Sequence, residues 1–288
     1  MEIGVNFHLL PPGACRDLAI QAEDLGFESV WVAEHLVHPV DMQGSPVAGG
    51  DHPPADAATA LYDGFVTLGG IAAVTSRLRI GSYVYLAGLR HPFVTARAVG
   101  TIDHLSGGRV ELGVGAGWLE GEWRAVGLDF ATRGRRLDEA IAVCRRLWSE
   151  DVVEHHGRFF DFEPVAFEPK PLQSPPPVLV GGDSEAALRR AARLGDGWCG
   201  MAYTTETVKP KLDRLHELRE EAGRADEPFA VMVVPVGEPE YDEWSSLGID
   251  RLVIPWLDRL PSGHGKIRMH DAGETAEVMR RVPPAVLR

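Results

Sequence analysis

The sequence predicts an α/β fold of the (β/α)8, TIM-barrel type, and three observations support this prediction. Strand and helix patterns alternate along almost the whole chain. The chain has 288 residues, and one barrel of this type needs about 250. The second predicted strand, residues 29–35, is an apolar run that ends in two ionisable residues, Glu34 and His35. Such an ending is expected where a strand of a parallel barrel reaches the cleft at its carboxyl end.

Eight short apolar runs predict the strands of a single barrel domain that spans residues 1–288. They lie at residues 3–7, 29–35, 78–87, 109–115, 178–180, 197–201, 229–234 and 249–255. The helix patterns lie at residues 14–25, 65–74, 93–105, 137–148, after residue 182 up to 194, 208–222, 240–247 and 275–282. The same alternation allows an open, doubly wound sheet as the alternative.

Two insertions interrupt the alternation, one after the second strand and one before the fifth. Residues 36–63 are polar and rich in glycine and proline, which is typical of a loop, and they are too many for a plain connector. Residues 152–177 are aromatic and rich in proline, and we interpret them as a hairpin. We expect both insertions to cover the mouth of the barrel and to shape the choice of substrate.

The composition excludes several classes of protein. The net charge of −13 argues against a nucleic-acid partner, since phosphate neutralisation needs clustered lysine and arginine. No apolar run approaches the roughly 20 residues of a membrane span, and no secretory signal is visible at the first residues. The three cysteines are widely spaced and odd in number, so they predict neither a disulfide framework nor a metal site. We therefore expect a cytoplasmic protein.

Three ionisable residues are candidates for the chemistry at the predicted strand ends. Glu34 and His35 form either a salt-bridged strand end or a charged contact to a cofactor ring or substrate. Histidine exchanges a proton near neutral pH, and a neighbouring carboxylate can orient it. His8 follows the first strand and would share the same rim, which makes it a candidate for substrate contact.

Glycine-rich segments follow the fourth and fifth predicted strands. Residues 113–118 resemble a dinucleotide fingerprint, but Trp118 stands where its third glycine belongs and no helix is expected directly afterwards. Alternating glycines at a strand end instead allow a flat ring to approach the backbone. Gly181 and Gly182 precede a helix, where backbone N–H groups favour an anion such as phosphate. The alternative there is a simple turn capped by Asp183 or Ser184.

Taken together, these segments resemble the bacterial luciferase-like family of flavin and deazaflavin oxidoreductases. The strongest resemblance is to its members that depend on coenzyme F-420. The matching segments occur in family order over roughly residues 1–260. They are LGFESVWVAEH (25–35), RHP (90–92), DHLSGGRVELGVGAGW (103–118), RGRRLDE (133–139), HGRFF (156–160), PVLVGG (177–182) and LGDGW (194–198).

This resemblance implies a TIM-type barrel that binds reduced flavin mononucleotide (FMN) or the deazaflavin F-420 at the carboxyl ends of its strands. Carried over by position, Glu34 and His35 approach the ring, and a non-prolyl cis peptide backs the ring at Tyr83–Val84. The resemblance places three further groups at the cofactor: Ala116, Gly117 and Gly121 on the ring and ribityl side, Gly181 and Gly182 at the phosphate, and Gly200 near the phosphate end. It also implies a homodimer.

The chain departs from the family pattern at several positions. Sugar-phosphate dehydrogenases of the family carry a glutamate acid where this chain has Trp118, and a tryptophan cannot protonate a leaving alkoxide. We therefore place Trp118 on the substrate side and expect a different reaction. Polar residues that hold the cofactor in some relatives fall on Leu86, Ala116 and Gly121, which predicts looser binding or binding through the backbone.

The leading functional hypothesis is hydride transfer between F-420 and a small organic substrate, with His35 transferring a proton and Glu34 tuning or anchoring it. One alternative keeps the fold but uses reduced FMN and oxygen, as a monooxygenase supplied by a separate reductase. The other is a binding or structural protein of the family that has lost its cofactor.

Overall fold

Eight parallel strands close into a barrel in the structure, a computed structural model that describes residues 1–45, 56–255 and 270–287. Ten strands occur in these residues: β1 (Glu2–Asn6), β2 (Ser29–Val32), β3 (Arg79–Ser82), β4 (Val110–Val114), β5 (Val152–His156), β6 (Asp161–Ala166), β7 (Val178–Gly181), β8 (Gly197–Tyr203), β9 (Ala230–Pro235) and β10 (Arg251–Ile254). All except β5 and β6 form the barrel, in the order β1-β10-β9-β8-β7-β4-β3-β2. The barrel prediction is confirmed, and the open sheet is wrong, because β1 pairs with both β2 and β10.

Helices alternate with the barrel strands in the order that the sequence predicted. In the described residues they are α1 (Pro12–Leu25), α2 (Gly64–Ala72), α3 (Pro92–Ser106), α4 (Glu120–Ala125), α5 (Arg133–Ser149), α6 (Glu185–Leu194), α7 (Thr205–Glu221), α8 (Tyr241–Ser245) and α9 (Ala272–Arg281). The helix α4 was not predicted from the sequence, so the expectation that no helix closely follows residue 118 is wrong. None of the helices in these residues is long and apolar enough to cross a membrane.

Local signals set the ends of the helices. Pro12 and Pro92 begin α1 and α3, where a missing N–H costs nothing. Both helices end before glycines with positive φ, Gly26 at 96° and Gly107 at 69°. At the start of α2, the Asp63 carboxylate accepts a hydrogen bond from a backbone N–H at 2.9 Å. These ends fix the lengths of the loops that carry the site.

The two insertions lie where they were expected. β5 and β6 pair in antiparallel fashion and form the predicted hairpin. Residues 36–45 and 56–63 contain neither helix nor strand, in agreement with the predicted loop, and residues 46–55 of that loop lie outside the described residues. The second strand ends at Val32 rather than at residue 35, so Glu34 and His35 lie beyond the ladder, on the rim of the barrel.

The barrel interior is divided into an ionic layer and an aromatic layer below the mouth. Near the amino ends of the strands, Arg251 donates to Glu28 at 2.6 Å and to Glu111 at 3.1 Å. Above them lies the Trp31 ring, and a Cβ at Gly81 would come within 2.3 Å of that ring. This part of the barrel is closed by its own side chains, so only the carboxyl-terminal mouth is left open for a ligand.

Candidate active site

A cavity of about 290 Å³ opens at the carboxyl ends of the barrel strands. Most of its walls are apolar. The residues that line it come mainly from β1, β7, β8 and β9, from the segments that follow β1, β2, β3, β4, β7 and β10, and from α5, α6 and α9. A concave, mostly apolar site with a few converging polar groups is typical of small-molecule binding.

His35 lies on the rim of this cavity and is held by a carboxylate from another segment. Its Nδ1 lies 3.0 Å from Oε2 of Glu122 on α4. The indole of Trp118 meets the imidazole edge-on, with ring centroids 5.8 Å apart. The imidazole side chain is 12% exposed and the Glu122 side chain is fully buried. The structure therefore brings together His35 and Trp118, both predicted site residues, and adds Glu122.

Glu122 also holds the backbone of the rim. Its Oε1 accepts hydrogen bonds from the N–H of Leu36 at 2.6 Å and from the N–H of Val37 at 3.4 Å. The sequence analysis missed this residue because the short helix α4 had no strong pattern. The signal that could have found it is an acidic residue four positions after Trp118, close behind the fourth strand.

Glu34 does not orient His35, and that hypothesis is wrong. The Glu34 carboxylate forms a buried ion pair with Arg90 and accepts a hydrogen bond from the N–H of Leu86 at 3.3 Å. Consecutive residues of an extended segment face opposite sides, so the two side chains diverge. Burial raises the pKa of the Glu34 carboxyl, and the Arg90 charge opposes this rise. Glu34 lines the cavity, and its own contacts tie β2 to the segment after β3.

One wall of the cavity is built from Tyr83 and Val84. The Tyr83–Val84 bond is a non-prolyl cis peptide, as the resemblance predicted. The Val84 side chain packs so closely on two strand ends that a Cβ at Gly115 would lie 2.5 Å from it, and one at Gly181 would lie 2.8 Å from it. Only glycine leaves room for this wall at these two positions.

The predicted cofactor residues divide into those that line the cavity and those that do not. Ala116, Gly117, Gly181 and Gly182 line it, with Tyr83 and Val84. Gly121 and Gly200 do not line it.

Gly121 and Gly200 pack against side chains behind this lining. A Cβ at Gly121 would lie 2.6 Å from Pro39, and one at Gly200 would lie 2.4 Å from the Trp198 ring. The Gly200 carbonyl accepts the Tyr83 hydroxyl at 2.5 Å. These glycines therefore support the site from behind its walls.

The turn that the sequence predicted to bind an anion, Gly181–Gly182, lies between β7 and α6 at one end of the cavity. Gly182 has a φ of 116°, and Ser184 caps α6 by accepting a hydrogen bond from the N–H of Ala187 at 3.2 Å. The capping role that was left open between Asp183 and Ser184 thus belongs to Ser184. The Asp183 carboxylate accepts the Tyr203 hydroxyl at 2.7 Å, and burial raises the pKa of this carboxyl.

Two arginines that the sequence analysis did not select reach the same end. Arg133 and Arg190 both line the cavity. Arg190 forms an ion pair with Asp138, whereas the Arg133 guanidinium lies 3.9 Å from the centre of the Phe130 ring. The Arg133 guanidinium also donates to the Phe130 carbonyl at 3.1 Å. Positive charge therefore lies near the glycine turn although the chain as a whole is acidic.

The opposite end of the cavity, beyond β1, carries buried polar atoms that have no hydrogen-bond partner among the described residues. Oδ1 of Asn6 and Nε2 of His8 are two such atoms, and both residues line the cavity. Burial, together with the nearby His35 and His38, lowers the pKa of His8 to about 3. His8 is therefore neutral at physiological pH. The structure thus places the predicted His8 in the same cavity as His35.

Comparisons with known proteins identify the family of this chain. The sequence profile of the luciferase-like monooxygenase family matches residues 8–287. An F-420-dependent glucose-6-phosphate dehydrogenase of Kineococcus radiotolerans is 30% identical over 94% of this chain and 77% of its own length. An FMNH2-dependent dimethylsulfone monooxygenase of Pseudomonas putida is 34% identical over 50% of this chain and 41% of its own length.

A structural comparison finds the same barrel in distant proteins. The coenzyme F-420-dependent tetrahydromethanopterin reductase of Methanopyrus kandleri superposes with a TM-score of 0.75, at 17% identity, over 99% of both chains. At this identity the likeness concerns the fold alone.

The fold and the cleft at its strand ends define a TIM-barrel enzyme of the oxidoreductase and monooxygenase class. The chain belongs to the luciferase-like monooxygenase family. Relatives within this family use F-420 or reduced FMN, according to the activities they are named for.

Proposed function

We propose that this protein is an oxidoreductase that transfers a hydride between the deazaflavin F-420 and a small organic substrate. One observation carries the proposal: a single cavity combines a glycine-lined wall for a flat ring with His35, whose Nδ1 is anchored on a buried carboxylate. The extent of the match to the F-420-dependent relative, 94% of this chain against 50% for the FMNH2-dependent one, supports F-420 as the coenzyme.

The residues of the cavity fit a flat ring with an anionic tail. Gly115 and Gly181 leave room for the Val84 side chain, and we propose that a flat ring lies against this wall. The start of α6, directly after the Gly181–Gly182 turn, presents backbone N–H groups, and Arg133 and Arg190 add positive charge near this turn. We propose that this end holds the phosphate and that Tyr83, Val84, Ala116 and Gly117 hold the ring.

His35 is the residue that we propose to move the proton. When bound, a deazaflavin supplies a ring carbon that accepts or donates a hydride. His35 makes no hydrogen bond through Nε2 to another of the described residues, so this nitrogen is available to a substrate on the rim. The Trp118 indole packs edge-on against the imidazole and limits its access to water. Glu34 acts indirectly, by holding the rim through Arg90.

We propose that the substrate binds near the end of β1 and the rim at His35. Trp118 lines the cavity at the position where a glutamate acid stands in the sugar-phosphate dehydrogenases of the family, so we expect no oxidation of sugar phosphates. Asn6 and His8 each offer a hydroxyl or carbonyl group a buried polar atom that has no partner among the described residues.

An FMN-dependent monooxygenase is the second candidate, and the 34% identity to the FMNH2-dependent relative over half of the chain favours it. Both coenzymes carry a phosphate that can use the same glycine turn. This alternative would require a separate reductase to supply reduced FMN.

Anaerobic turnover assays test the proposal. Purified protein is mixed with oxidised F-420 and a panel of alcohols, or with reduced F-420 and the matching carbonyl compounds, and the coenzyme absorbance is followed. We expect turnover with at least one pair, and we expect His35→Ala to abolish it while the fold is retained. Full activity of that variant would refute the role of His35, and turnover only with reduced FMN and oxygen would refute the choice of coenzyme.

A further inference from the structure

The contacts of Glu122 point to a role beyond holding the rim loop. We propose that Glu122 is a positioning residue that fixes His35 in the tautomer protonated on Nδ1, so that Nε2 presents its lone pair to the cavity. The catalytic consequence rests on the proposed function, whereas the tautomer itself is a property of the protein alone.

The hydrogen-bond chemistry of the pair determines this tautomer. A carboxylate only accepts hydrogen bonds, so the 3.0 Å contact between Oε2 of Glu122 and Nδ1 of His35 requires the proton on Nδ1. The other oxygen, Oε1, already accepts the N–H groups of Leu36 and Val37. The Glu122 side chain is fully buried, so it has no solvent to which it could turn instead.

The tautomer decides which way a proton moves at the rim. A neutral His35 with its proton on Nδ1 accepts a proton at Nε2 and has none to donate there. Once protonated, the imidazolium has the Glu122 charge beside it, as an orienting carboxylate has in a catalytic triad. Glu122 therefore favours His35 as the base that takes a proton when the substrate is oxidised and returns it in the reverse direction.

Glu122→Gln separates positioning from simple support of the loop. The glutamine oxygen can still accept the N–H of Leu36 (2.6 Å from Oε1 in the parent protein). Its NH2 group then faces Nδ1 of His35, and because this group only donates, Nδ1 must become the acceptor. The proton then lies on Nε2. The substitution thus keeps the rim contact and reverses the tautomer.

Long-range ¹H–¹⁵N NMR of the full-length protein, labelled on histidine, reads the tautomer without cofactor or substrate. The His35 signals are assigned by their loss in His35→Ala. We expect a protonated Nδ1 in the parent protein and a protonated Nε2 in Glu122→Gln. Glu120→Gln is the matched control, because Glu120 lies on the same helix with its side chain 58% exposed, and it should leave the His35 signals unchanged.

A parent protein with the neutral His35 protonated on Nε2 would overturn the proposal, whatever the variants do. So would an unchanged tautomer in a folded Glu122→Gln. Where a substrate is in hand, we expect Glu122→Gln to lower kcat about 10- to 100-fold with little change in F-420 affinity, and to move the acidic limb of the pH profile to lower pH. Failure of F-420 to bind the parent protein would refute the coenzyme proposal and leave the tautomer result standing.

Discussion

His8 makes the stability of this protein depend on pH in a predictable direction. Its pKa is lowered to about 3 in the folded protein, against about 6.5 in an unfolded chain. Between these values the unfolded chain binds a proton that the folded protein does not, so the free energy of unfolding falls as the pH falls below about 6.5. From pH 7 to pH 5 the linkage relation gives a loss of about 2 kcal/mol for this one residue. His8→Asn removes the titrating group.

Urea denaturation of the parent protein and of His8→Asn at pH 7 and pH 5 measures this loss. We expect the parent protein to lose about 1–2 kcal/mol more than the variant between the two pH values. His216→Asn is the control, because the His216 side chain is 72% exposed and its replacement should leave the pH dependence unchanged. Equal losses in the parent protein and in His8→Asn would refute the reasoning.

Three further substitutions test the roles of the cavity walls. Glu34→Ala leaves the buried Arg90 charge without its partner and should lower the free energy of unfolding, measured by urea titration, by about 3–5 kcal/mol. The control is Glu120→Ala at an exposed position, which should lower it by less than about 0.5 kcal/mol. A loss below about 1 kcal/mol for Glu34→Ala would contradict the importance of the pair. Gly181→Ala places a Cβ 2.8 Å from Val84 and should weaken F-420 binding, measured by fluorescence titration, about tenfold, the equivalent of about 1.4 kcal/mol. The control Gly69→Ala, whose new Cβ has no atom within 4 Å, should leave the affinity unchanged. Equal F-420 affinities of the parent protein and of Gly181→Ala would show that Gly181 is not at the coenzyme. Arg133→Gln should weaken the binding of FMN, measured by calorimetry, more than that of riboflavin, which has no phosphate. The control is Arg135→Gln at an exposed position. An equal effect of Arg133→Gln on both ligands would show that Arg133 does not contact the phosphate.

The barrel could be predicted from the sequence because each strand carries its own signal. Short apolar runs, glycines after helices and prolines at helix starts are local features, and they marked the eight barrel strands and the hairpin. The short helix α4 was missed because six residues hold too little periodicity to be recognised.

The partners within the site could not be predicted, because they are distant in the sequence. His35 and Glu122 are 87 positions apart, and Glu34 and Arg90 are 56 apart. Strand geometry could have corrected part of the prediction: adjacent residues on an extended segment face opposite sides. Glu34 and His35 diverge for this reason, and Gly200 faces away from the cavity while its neighbours Cys199 and Met201 line it.

The most direct test of the coenzyme proposal is a titration of the purified protein with F-420 and with FMN, each in its oxidised and reduced form. We expect F-420 to bind with submicromolar affinity, and we expect Gly181→Ala to weaken this binding. Submicromolar binding of FMN without binding of F-420 would contradict the proposal, and binding of neither would favour a family member that has lost its cofactor.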